Sequence, residues 1–565
     1  MASRGQGSLC IVLHGHLPWV VNHGWWPHGE FWLHEAAAET YLPLWRVVTA
    51  CVAEGIRAPL TLGLTPVLLE QLRSDAFVRG FPRWLEERET RARADQAEFV
   101  GREELHLAWL ATRWEEHFRA LRLDFERLNR DLPRAFATLA QAGHIELLSS
   151  NATHGFMPLI LHDRNARAQV RAGMATSERV LGFRPRGVWL PECAYRPAGP
   201  WTPPVVHGDS RWRAGVETLF AQEGAEFFVV DAHLFASARS EGVLGPAGFT
   251  KVGWDQVLWD RTRGWRSVLE PHGVSTDGGP ARLSALARHP EVSEQVWSKE
   301  VGYPGDPRYL EFHKKHGNDG LRYWRVTGPS VELGAKSVYY PGDVSAALAT
   351  QARHFTAVVR SILQRYQAES GRTGMVVAPF DAELFGHWWF EGPQFLKEVF
   401  KELANDPDVV PRTASEALAT HPADKVVTMT EGSWGAGGDF RVWLNPELEW
   451  MWAAEYRAED RFVGLWHTLP WRTDPAVADA LKLAGRELLL LQASDWPFVI
   501  QTKGAVDYGY RRFCEHLARF DRVCTVAESR ARGEADSELG RHAMADVQLH
   551  DGCFADLDLA WWDGP

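Results

Sequence analysis

Short apolar runs recur along the chain, each followed by polar or turn residues and then by helix-like sequence. This alternation restricts the fold to a parallel α/β architecture. The runs are Leu9 to Leu13, Leu60 to Leu64, Ile145 to Ser149, Gly187 to Leu190, Phe227 to Val230 and Met375 to Ala378. Apolar nearly without interruption, they read as strands covered on both faces. Several stop at chemically able residues: His14 and His16, Asn151 and His154, Glu192, Asp231 and His233, Asp381 and Glu383. In an α/β barrel the C-terminal strand ends form the working face, so this clustering points there.

With 565 residues, the chain exceeds what one small core can organise, and additions to the barrel are expected. About eighty residues separate the second and third runs, too many for a simple crossover. They are rich in Glu, Arg and Leu at helical spacing, which predicts an inserted helical subdomain over 70–142 or, equally, long peripheral helices of one domain. The catalytic barrel is expected to occupy 1–415. A helical C-terminal domain is expected over 416–527, with 528–565 a linker and a tail that docks back. The Gly-, Pro- and Ser-rich stretch from Ala236 to Pro280 reads as a loop, either a lid or a disordered segment.

Charge narrows the partners. A formal net charge of −12, with basic and acidic residues interspersed, offers no footprint for nucleic acid or anionic lipid. A neutral polymer suits the chain better, and 27 tryptophans supply flat amphipathic plates suited to pyranose rings. No stretch reads as a signal peptide or membrane span. Six cysteines without a CxxC pair suggest neither a disulfide framework nor a thiolate metal site. A cytoplasmic protein, monomeric or weakly homo-oligomeric and without cofactor, is expected.

Two segments concentrate carboxylates. Glu192 ends a strand directly after Pro191, a position that also suits a cap or ion-pair partner. The second, Ala378 to Gly392, packs Asp381, Glu383 and Glu391 with His387 and five aromatic residues. Buried carboxylates cost free energy unless paired or used. Retaining glycoside chemistry uses two carboxyl groups about 5 to 5.5 Å apart, one ionised and one protonated. A rival reading comes from His14 and His16, which share a strand face and could converge on a metal, as in a metal-dependent carbohydrate esterase or mannosidase. Polar groups so placed can equally bind sugar hydroxyls.

At His14-Gly15-His16-Leu17-Pro18, at Gly143 to Leu159, at Trp189 to Tyr195 and around Asp381, the sequence resembles glycoside hydrolase family 57, and its branching members most. Gln295-Val296-Trp297-Ser298 and Gly432-Ser433-Trp434-Gly435, with Trp443 beyond, add to the likeness. The resemblance implies a distorted (β/α)7 barrel with an inserted helical domain and a helical C-terminal domain. It implies Glu192 as nucleophile and Asp381 as general acid/base, with His14, His16 and His154 lining the sugar site and no metal. Trp297, Trp434 and Trp443 are implied to bind glucan, the last two from the C-terminal domain, with Trp496 a further candidate. The implied activity is cleavage of α-1,4-glucan and transfer of the fragment to a C6 hydroxyl. The alternatives are a family α-amylase or 4-α-glucanotransferase, which should lack the C-terminal domain bearing Trp434 and Trp443. The loop from His233 to Glu294 departs from the family pattern. It carries Trp254, Trp259 and Trp265 and leaves no catalytic tyrosine assigned.

Overall fold

The computed structural model describes residues 7–205, 208–245, 248–251, 267–276, 281–298 and 301–564. Seven parallel strands form a ring: β1 (Gly7–Gly15), β2 (Leu60–Leu64), β3 (Ile145–Leu148), β4 (Gly187–Trp189), β5 (Phe227–Val230), β6 (Ala281–Ala287) and β7 (Met375–Asp381). Continuous ladders join β7 to β1, β1 to β2, β2 to β3, β4 to β5 and β5 to β6. Single bridges close the rest: Ser149 with Val188 between β3 and β4, and Arg288 with Val377 between β6 and β7. These seams are the distortion. At the second, the free edge of β6 is occupied by the antiparallel strand His272–Ser275, so β6 reaches β7 only beyond its own end. At the first, β4 can approach because residue 187 is glycine; a Cβ there would lie 2.7 Å from the Leu148 side chain of β3.

Strands β1, β2, β4 and β5 are buried at every position, which is why they read as unbroken apolar runs. The stretch from Ala236 to Pro280 differs from its expectation as a loop. Arg239–Gly245 and Gly248–Lys251 continue an outer sheet through Lys425–Thr428 to His272–Ser275 and β6. Trp254, Trp259 and Trp265 lie outside the described residues. Because Lys425–Thr428 belongs to this sheet, the expected domain boundary at 415 falls too early.

Between β2 and β3, helices α1 (Asp75–Gly101) and α2 (Leu105–Arg127) pack as a pair through rings such as Phe81 and Phe125, 5.0 Å apart. Helix α3 (Leu132–Gln141) then leads into β3, with Asp131 capping its first turn by accepting from Arg134 N at 2.9 Å. The C-terminal part consists of α4 (Glu449–Thr468), α5 (Pro475–Leu491), α6 (Asp495–Gln501), α7 (Val506–Ala531) and α8 (Glu538–His550). Where the expected linker and tail over 528–565 begin, the chain instead completes α7 and starts α8. Ser537 caps α8, and Arg530 pairs with Asp536 at 2.7 Å across the turn. The tail lies on the barrel, where buried Trp562 donates to Asn165 Oδ1 at 2.8 Å.

The segment after β1 fastens the C-terminal helices to the barrel. Trp19 Nε1 donates to the His550 carbonyl at 2.8 Å, and Arg512 donates to the Trp19 carbonyl at 2.6 Å. His23 meets buried Asp551 at 2.7 Å. Ser494 N donates to the His154 carbonyl at 3.1 Å, which brings the start of α6 to the barrel mouth.

Candidate active site

The end of β4 sets the centre. Beyond Pro191 the backbone turns through Glu192 (φ 58°) and Cys193 (φ 47°), left-handed conformations that side-chain-bearing residues adopt only when their surroundings enforce them. The segment 432–434 provides that enforcement. Tyr195 and Gly432 exchange backbone hydrogen bonds at 2.8 and 3.0 Å, and Trp434 N donates to the Glu192 carbonyl at 3.1 Å.

The turn aims the Glu192 carboxylate at two donors. Trp434 Nε1 reaches Oε2 at 3.0 Å and Ser494 Oγ reaches Oε1 at 2.9 Å. Burial pushes this carboxyl up to about 7, opposed first by the Trp434 hydrogen bond, while the charge of Asp495 adds to the rise and Ser494 counters it. The side chain still keeps 13% of its surface open.

Asp381 ends β7, where it pairs in register with His14 of β1. Burial, then the charges of Glu383 and Glu192, raise its carboxyl well above the carboxylate range. No side-chain donor among the described residues offsets this. The environments therefore divide the pair: Glu192 is equipped to hold a negative charge, and Asp381 to hold a proton. Glu383 accepts from His16 N at 3.1 Å and from the Tyr41 hydroxyl. The loop beyond is anchored by Glu39, which receives His387 Nδ1 and Arg322, both at 2.6 Å.

Three histidines line the floor. His16 and His154 stack with ring centroids 3.9 Å apart, and His14 lies on Trp189 at 4.6 Å. Burial drives His14 and His154 well below the usual imidazole range, so both are neutral. His154 also takes a left-handed backbone (φ 60°), in a turn where Asn151 brackets Gly155 N and O at 2.9 and 2.8 Å. His16, His154 and Asp495 place potential ligand atoms within 4.8 Å of one another. Every ring nitrogen of these two histidines is already engaged, by Thr65, Asp495, Ser494 or His14. A metal would have to break those bonds.

The tryptophans separate into two groups. Trp434 stands edge-on to Trp189 at 5.1 Å and to Trp297 at 6.2 Å, and Trp297 is 37% exposed. Trp443 and Trp496 are each 1% exposed, so neither offers an indole face to a sugar, contrary to the expectation for both. Trp443 stacks on Phe156 at 4.8 Å and underlies the loop of Trp434, where a Cβ on Gly435 would come within 2.6 Å of its ring. Trp496 donates to the Leu490 carbonyl at 2.9 Å beneath the Arg512 guanidinium. Trp434 and Trp443 also precede α4 and lie in the connection to the C-terminal helices.

Glu192, Asp381, His14, His16, His154, Trp297 and Trp434 thus meet at one mouth, joined by Ser494, Asp495, Thr65 and Tyr41, which the sequence did not single out. Asp495 stands beside the candidate Trp496, and an acidic residue at a helix start is its only signal. Ser494, Thr65 and Tyr41 gave none.

Fold and site define a seven-stranded α/β-barrel protein with two carboxylates of opposite character at its mouth. Residues 10–430 match the model of glycosyl hydrolase family 57, and residues 455–562 match that of the 1,4-alpha-glucan branching enzyme C-terminal region. A 1,4-alpha-glucan branching enzyme of Thermococcus kodakarensis is 36% identical over 94% of this chain and 76% of its own length. The crystal structure of a family 57-type branching enzyme from Pyrococcus horikoshii superposes with a TM-score of 0.88 at 35% identity, covering 99% of this chain and 97% of that one. An α-amylase structure from Thermotoga maritima gives 0.81 at 29% identity over 99% and 100% of the two chains. The chain belongs to glycosyl hydrolase family 57. The Thermotoga maritima α-amylase also extends over the C-terminal helices, contrary to the expectation that such a relative lacks them, so their presence does not separate branching from hydrolysis.

Proposed function

We propose the following reaction course for this chain, which acts as a 1,4-α-glucan branching enzyme. Glu192 attacks the anomeric carbon of an α-1,4-linked donor while Asp381 gives its proton to the departing glycosidic oxygen. The donor fragment is left as a glycosyl ester on Glu192. Asp381, now ionised, takes the proton of an acceptor C6 hydroxyl, which displaces Glu192 and forms an α-1,6 branch with net retention. The observation that carries this is the split environment of the two carboxyls, with two donors on Glu192 and a raised, donor-free Asp381. Trp297 and Trp434 flank the mouth as plates for glucan, and His14, His16 and His154 form the polar floor beneath the reacting sugar.

The six unpaired cysteines, five of them buried, fit a reducing cytoplasm, where the product is a branched, glycogen-like α-glucan. No helix among the described residues is long and apolar enough to cross a membrane. Every residue invoked comes from one chain, so the scheme requires no oligomer. The reaction uses no metal or cofactor.

Incubating the protein with amylose while following reducing ends and the α-1,6 anomeric proton signal tests the reading. New α-1,6 signal with few new reducing ends is expected. Reducing ends alone would make the protein a hydrolase, the second reading that the α-amylase likeness favours.

A further inference from the structure

Three side chains lead to Glu192 in one line of hydrogen bonds. His14 Nε2 meets His154 Nε2 at 3.0 Å, His154 Nδ1 meets Ser494 Oγ at 2.9 Å, and Ser494 Oγ meets Glu192 Oε1 at 2.9 Å. Proton counting fixes its direction. An ionised carboxylate can only accept, so the single hydroxyl proton of Ser494 points to Glu192. The serine oxygen must then accept from His154, which places the His154 proton on Nδ1. A neutral imidazole has one N–H, so His154 Nε2 accepts and His14 Nε2 donates. His14 Nδ1 is left bare, and it is buried with no hydrogen-bond partner among the described residues.

We infer that Ser494 is a positioning residue for the nucleophile, and that His14 and His154 act together to hold its hydroxyl in the direction that supports the ionised carboxylate. This rests on Glu192 being the nucleophile. Ser494 stands at the junction between α5 and α6, so the C-terminal helices supply a donor that no barrel strand provides. It is held there independently of the hydroxyl, by Ser494 N on the His154 carbonyl and by Gln169 Nε2 on the Leu489 carbonyl at 3.1 Å. The titratable groups around Glu192 are His154, 3.7 Å away, with His14 on β1, His16 just beyond it, Asp381 from β7, Asp495 beside Ser494, and Cys193 next in the chain. Of these, only His154 touches the serine oxygen.

The test compares Ser494→Ala and Ser494→Thr with the parent on amylose across pH 5 to 9. It also reads the histidine tautomers of the parent by two-bond 15N correlation, assigned with His14 and His154 variants. Removing a donor from a buried carboxylate is expected to lower kcat by about 10- to 100-fold with little change in KM. The same loss disfavours the ionised form, so the acid limb of the rate profile moves to higher pH. Threonine restores both. The parent should show His154 protonated on Nδ1 and His14 on Nε2. An acid limb unmoved in Ser494→Ala, or His154 carrying its proton on Nε2, overturns the inference, and the tautomer reading stands even if the alanine variant fails to fold. Glu192→Gln measured alongside keeps the two levels apart. An active E192Q removes the nucleophile itself, whereas an inactive E192Q with an unmoved S494A removes only the relay.

Discussion

Replacing Trp434 by Phe separates two roles that one indole combines. Phenylalanine keeps a flat ring against Trp189 and Trp297 but removes the Nε1–H that reaches Glu192 Oε2 at 3.0 Å. The backbone bond from residue 434 to the Glu192 carbonyl is untouched, so the strained turn keeps its clamp. A hydrogen bond to a buried charge contributes about 1.5 to 3 kcal/mol, or about 10- to 150-fold in kcat/KM. That bond favours the ionised form, so its loss raises the Glu192 carboxyl further above the value of about 7 that burial imposes. At 1.36 kcal/mol per pH unit, the acid limb should rise by about one to two units. A role confined to stacking predicts something else: KM would change by the difference between two aromatic plates, under about 1.5 kcal/mol, and the limb would stay. Rates of α-1,6 bond formation from amylose across pH 5.5 to 9 distinguish the cases. An unmoved limb with unchanged kcat would refute the donor role.

Other consequences are open to measurement. Glu391 accepts from Tyr339 at 2.7 Å and Leu310 N at 3.1 Å, yet burial raises it from an ordinary 4.5 to about 7. A carboxyl raised by folding favours the folded state below 4.5 and loses that contribution as pH climbs through 7, which amounts to about 3 kcal/mol. Denaturant titrations at pH 5 and pH 8 should show Glu391→Gln losing about that much less stability than the parent over this interval; identical losses would contradict it. Gly386 has φ +114°, and a Cβ there would lie 1.7 Å from the Glu39 carbonyl oxygen. Gly386→Ala should therefore cost about 2 to 4 kcal/mol in unfolding free energy, with activity falling as the His387 loop shifts. Treatment with a strong chelator should leave branching unchanged, because the nitrogens of His16 and His154 already have protein partners; loss of activity restored by added metal would reverse that conclusion.

The strands legible in the sequence are those buried on both faces with little polar to interrupt them, Glu146 of β3 being the exception. Strand β6 escaped because Ala281–Ala287 carries Arg282 and Ser284 among alanines, residues of weak strand preference. The outer sheet beside it was hidden in glycine-rich sequence that reads as loop. Glu192 and Asp381 stood out because a carboxylate at the end of an apolar strand is costly unless used. Ser494 did not, since a serine at a helix start has no distinctive spacing and its partner lies some three hundred residues earlier. Trp443 and Trp496 show the converse: an indole serves as plate or as core filler, and only the solvent exposure found in the fold distinguishes them.

The junction that delivers Ser494 and Asp495 to the mouth has a consequence for synthesis on the ribosome. By the time β7 and its Asp381 have emerged, both carboxylates exist, but over a hundred residues must follow before Glu192 can receive the Ser494 hydroxyl. A nascent chain with its barrel strands complete still lacks both side-chain donors to Glu192, Trp434 and Ser494, and one wall of its mouth. With Glu192 as the proposed nucleophile, cleavage of glucan waits for the junction of α5 and α6 to arrive, so a shorter chain is poorly armed to degrade the polymer.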